Sequence, residues 1–270
     1  MTVRSTNKGK TPQPSGKPFL TGAPFDRNVP KSALMVFLST LLMAVAFLFL
    51  GAVMLIDIAV IKVIANVVIL AFVLLLFYYS GMSNGSIAVN QGEIMYRRKE
   101  TEREVSAEEL QRCYHPLKGF VIGLLGCVPA FILAFILAVT TQRVMMSFGM
   151  LPSWVSGLNR AEVSEPLAYY TAAVPLSLTS LCRVIVRMLL MPAVNLIGAE
   201  NADALLILER VSPLLVLLPG VSYGFGYTRG VKVRKRVHAD IAEGRKKAAK
   251  KARRQKKIRQ RSSAGPQQLN

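Results

Sequence analysis

Apolar and polar positions along this chain fall into blocks instead of interleaving. From Ala33 to Ser80 the run is apolar almost without pause, with Asp57 and Lys62 its only charges. One straight helix over that stretch would be about 72 Å long at ~1.5 Å per residue, against a hydrocarbon core about 30 Å thick. The run therefore predicts a transmembrane hairpin within 32–80, with spans near 33–55 and 62–80. Asp57 and Lys62 mark its turn and reach toward the headgroups. Two later runs, Phe120–Val139 and Val211–Tyr227, predict single spans within 119–140 and 205–228. Pro129 is expected to kink the first of these.

The blocks between the spans read differently. Residues 1–31 hold five prolines and six basic residues, too little apolar area to offset ordering entropy, and predict a disordered tail. Residues 81–118 carry six basic residues against six Glu and predict a solvated linker. Within it, Ser106 and Glu109 have capping-box spacing, ahead of a short helix from Ser106 to Tyr114 stopped by Pro116.

The segment 171–197 decides the number of crossings. It is apolar enough to span, but carries Arg183 and Arg187 one helical turn apart, and an arginine at mid-depth costs at least ~2.5 kcal/mol. Laid in the interface, it leaves four crossings. The N-tail, the 81–118 linker and the C-tail then share one side and bring 28 of the 34 basic residues there. A fifth crossing would export the N-tail and the linker, against the positive-inside bias. The expectation is an all-α integral membrane protein of four transmembrane helices plus one amphipathic interfacial (or fifth spanning) helix. It sits in the cell or cytoplasmic membrane with both termini cytoplasmic and basic tails that are disordered or helical. Residues 141–204 are then extracytoplasmic. Arg183 and Arg187 lie on the polar side of the interfacial helix, and Trp154, with Tyr169 and Tyr170, stands in the aromatic belt.

Composition sharpens this picture. Hydrophobic residues make up 52% of 270, yet the net charge is +19, and 16 basic residues lie between Arg229 and Arg261 against Asp240 and Glu243 alone. Val233, Val237 and Ile241 predict that this polybasic tail, 229–270, begins as a helix continuing the last span, and Gly244 is expected to break it. Its candidate contacts for anionic lipid or RNA, ribosomal RNA included, are Arg234, Lys235, Arg236, Lys246, Lys247, Lys250, Lys251, Arg253, Arg254, Lys256 and Lys257. No aromatic residue follows Tyr227, so base stacking is not expected.

Candidate chemistry is sparse. Cys113, Cys127 and Cys182 form no CxxC, the only histidines are His115 and His238, and no HExxH, GxSxG or P-loop motif occurs. No catalytic residue, metal or cofactor is expected. Gly119 with Gly123, and Gly220 with Gly224, have the GxxxG spacing that lets helices approach closely, within the chain or toward a partner protein. These features predict a non-enzymatic accessory or scaffold subunit. A transporter component is the alternative, resting on Lys62, Asn66, Arg183, Arg187 and Glu209. An enzyme using Glu162, Glu165, Asp203 or Glu209 comes third.

Overall fold

The computed structural model describes residues 17–51, 58–141, 178–198 and 201–263. These form seven helices and no strand: α1 (Val29–Gly51), α2 (Ala59–Glu100), α3 (Ala107–Gln111), α4 (Lys118–Thr140), α5 (Leu178–Leu189), α6 (Met191–Ile197) and α7 (Ala202–Ser263). Helices α1, α2, α4 and α7 are each long and apolar enough to cross a membrane. The pair α5–α6, bent by 91°, makes a fifth if counted as one span.

Helix α7 is the hub. It packs along α2 on one side and α4 on the other, while α1 leans on α4. Glycines set these approaches. A Cβ on Gly220 would lie 2.6 Å from the carbonyl oxygen of Gly123, and one on Gly81 or Gly85 would run into the backbone of Tyr223 or Tyr227. We call the end of the bundle where α1 begins the base. There Tyr114 stacks on Tyr227 at 5.5 Å between ring centroids. The opposite end holds a second core, with Ala134 and Leu137 of α4, Cys182 and Val186 of α5, and Val216 of α7.

Several elements depart from the expectations above. Helix α2 does not stop near 80 but continues to Glu100 through half of the anticipated linker. The reason is a buried stripe, Gly81, Gly85, Ala88, Val89 and Gly92, with the helical spacing that keeps it against a neighbour. Ser106 precedes α3 as expected, but its side chain makes no capping bond, and α3 ends at Gln111. Residues 17–28, expected to be disordered, lie across the base. Leu20 N–H donates to Gly92 O (3.2 Å) and Gly22 N–H to Tyr114 O (2.9 Å), and Phe19 meets the edge of Tyr114.

The anticipated single interfacial helix is two helices packed into the bundle, α5 on α4 and α1, α6 on α2. Pro192 accounts for the break. It lacks the N–H that would continue the α5 ladder, and it suits the first turn of a new helix, where it stands in α6. Helix α7 runs through Gly244 without the anticipated break. One glycine costs only about 1 kcal/mol in a helix, and its Ala, Lys and Arg neighbours favour the helix. Asp57, Trp154, Tyr169 and Tyr170 lie outside the described residues.

Candidate functional site

Three polar assemblies occur along α7. Farthest from the base, Glu209 is 3% exposed and receives Arg183 Nε at 2.9 Å and Arg187 Nη2 at 2.6 Å. The Thr141 hydroxyl at the end of α4 donates to its other oxygen, and Arg183 Nη2 donates to Thr141 Oγ1 at 2.9 Å. The two arginines, expected on the polar side of the interfacial helix, turn toward the bundle. Their positions one turn apart on α5 aim both at one carboxylate on α7. With its oxygens engaged by three side chains, Glu209 is a clamp joining α4, α5 and α7.

At the base, Asp26 and Lys118 form a buried pair at 2.6 Å, with side chains 3% and 6% exposed. The same carboxylate accepts the N–H groups of Asn28 and Val29 ahead of α1, and Lys118 Nζ also donates to Gln111 O. One ion pair thus fixes the starts of α1 and α4 together. Burial pushes the neighbouring Cys113 thiol and Tyr114 phenol above their ordinary ranges.

Beyond the base, the two long helices are joined side by side. Glu93 of α2, buried, accepts from Arg234 Nη2 (3.1 Å) and lies 2.7 Å from His238 Nε2. Arg234 Nη2 also donates to Asn90 Oδ1. Arg234, a candidate polyanion contact, is therefore committed to holding α7 on α2. Asn90 and Glu93 on one helix, and Arg234 and His238 on the other, have one-turn spacings that extend the glycine stripe of α2. That continuity is a signal that could have revealed the junction in a stretch expected to be a solvated linker.

The remaining basic candidates stand clear of the bundle. Lys235 and Arg236 are exposed, and so is every residue from Asp240 to Gln255, Lys246, Lys250, Lys251, Arg253 and Arg254 among them. Lys247 pairs with Glu243 at 2.8 Å on the open surface. Lys256 and Lys257 follow on the same helix. Basic side chains cover about two thirds of the rod's circumference at helical spacing, and Ile241, Gly244, Ala248 and Ala252 form a stripe without charge.

The four glycines singled out above all lie within the chain's own contacts. Gly123 meets the backbone of Gly220, Gly119 meets Tyr227, and Gly224 meets the ring of Phe120. Among the described residues no three His, Cys, Asp or Glu side chains gather as a metal site, and the three cysteines are buried and unpaired with one another. No family model, curated protein or solved structure matches this chain.

Proposed function

We propose that the chain is a non-enzymatic multi-pass membrane protein that carries a continuous basic helix into the cytoplasm and presents it to RNA. The observation that supports this reading is the continuity of α7 from Ala202 to Ser263. From Thr228, where the apolar part ends, Lys246 is about 27 Å further along the helix at ~1.5 Å per residue. A typical tilt of about 20° leaves it some 25 Å from the hydrocarbon edge, about 18 Å beyond the headgroup layer. Charges at that height lie well beyond the ~8 Å Debye length, so the rod favours a partner in solution over the adjacent lipid. The density of these charges fits a phosphate backbone read without base specificity.

The test is RNA binding by the full chain in discs of neutral lipid, measured against salt. Affinity should fall linearly in log–log form as counterions are released. Replacing Lys246, Lys247, Lys250, Lys251, Arg253 and Arg254 with Gln should weaken binding by at least about tenfold and flatten the slope. No RNA binding in neutral discs, with capture of the rod by anionic discs, would replace this reading with lipid adhesion.

A transporter component remains the second reading, supported by the buried Arg183–Glu209–Arg187 cluster beside the bent pair α5–α6. It requires that Glu209→Gln abolish ion flux into vesicles. Wild-type vesicles as tight as protein-free ones would sink it.

A further inference from the structure

Helices α1 and α2, adjacent in sequence, lean on different neighbours: α1 on α4, α2 on α7 and α6. Between them lies a groove of about 540 Å³. Its two walls are single helix faces. On α1 the lining residues recur at three- and four-residue spacing from Ser32 through Val36 and Ser39 to Met43 and Ala46; on α2 they run from Leu76 and Phe77 through Ser80 to Asn84. Val36 and Phe77 are buried at its floor, whereas Met35 and Leu42 at its lip are 69% and 72% exposed.

The groove is graded along its length. Because α1 and α2 run in opposite directions, Ser32 and Asn84 share the end nearer the base, and Met43, Ala46 and Leu76 share the deeper end. The hydroxyls of Ser32 and Ser80 make no hydrogen bond among the described residues, while the Asn84 amide is steadied by donating to the Tyr223 hydroxyl at 2.8 Å. Among the described residues no charged one lines the groove. Outside its polar end stand Lys31 and Arg27, both exposed, and Asp26 there is already neutralised by Lys118. The polar mouth therefore favours a negative group.

Size selects the occupant. From Ser32 to Ala46 the wall is about 21 Å long, slightly more than the ~15 Å that one leaflet of a ~30 Å core provides. We propose that the groove holds one phospholipid of the leaflet at the base. Its acyl chain lies along Val36, Met43 and Phe77, and its phosphate sits at Ser32, Asn84 and Lys31.

The test uses the full chain in discs containing phosphatidylglycerol with a photoactivatable acyl chain, and native mass spectrometry to count lipids retained after delipidation. One lipid should be retained, and crosslinks should concentrate in 32–46 and 76–84. Ser39→Phe combined with Ser80→Phe fills the groove and should lower both signals at least tenfold, while Leu41→Phe, off the lining face, should not. Lys31→Gln should reduce the preference for phosphatidylglycerol over phosphatidylcholine. The proposal is overturned by crosslinks spread evenly over the exposed apolar faces, by undiminished retention in the filled variant, by a preference indifferent to Lys31→Gln, or by a copurifying protein segment crosslinked in the groove. Should the double variant fail to fold, the wild-type crosslink map alone decides.

Discussion

Lys118 and Asp26 take two charges out of water 92 positions apart in the chain, a cost offset only by their mutual contact and their backbone hydrogen bonds. Removing one partner leaves the other buried and unpaired. Lys118→Met should therefore destabilise the protein by about 3–5 kcal/mol, read as loss of the folded fraction in a denaturant titration in detergent. Adding Asp26→Asn should recover part of that loss. The same corner responds to alkali. Cys113 and Tyr114 hold their protons more tightly when folded than in an open chain, so the folded state binds more protons above the ordinary thiol pKa of about 8.5. The contribution of these two groups should be flat with pH below that value and fall as pH rises past it. Cys113 is also fully buried, so iodoacetamide at neutral pH should modify it far more slowly in the native protein than in the unfolded one. None of these pairings was legible beforehand. Local spacing identifies a charge as exposed by default, and partners such as Arg183 and Glu209 meet only once α5 has folded back on α7.

At the scale of elements, hydropathy located the four long apolar helices, because the thickness of a bilayer leaves few alternatives for runs of that length. Their ends were less legible. Helix α2 outlasts its apolar half because the polar half has a glycine face to pack on α7, and a hydropathy window averages that face away. The glycines also differ from one another. At Gly123 an added methyl meets backbone, the carbonyl of Gly220, whereas at Gly224 it meets the ring of Phe120, which can turn aside. Gly123→Ala should thus lower the melting temperature more than Gly224→Ala. Gly123→Leu should cost about 1–3 kcal/mol by overpacking. Lys62→Leu, at a half-exposed position early in α2, should leave stability nearly unchanged.

For the molecule as a whole, what matters is whether the basic segment is a rod or a flexible brush, and composition alone does not distinguish them. Alternating Ala, Lys and Arg favour a helix locally, but like charges oppose it, and isolated helices are marginal in water. In α7 the helix is already nucleated inside the bundle and clamped to α2 by Glu93, Arg234 and His238, so the basic part needs only to propagate. Spin labels at Arg229→Cys and Gln255→Cys measure the outcome directly. The native cysteines are buried and should take no label. A rod places the two positions about 39 Å apart at ~1.5 Å per residue, with a narrow distribution that anionic lipid in the disc leaves unchanged. Glu93→Gln removes the charge that both Arg234 and His238 engage, and should broaden the distribution toward shorter distances without altering the apolar bundle. A broad distribution in the wild type, or a shortening when phosphatidylglycerol is added, would show that the segment folds onto the membrane. The charges would then lie within a Debye length of headgroups, and RNA would lose its advantage over lipid as the partner.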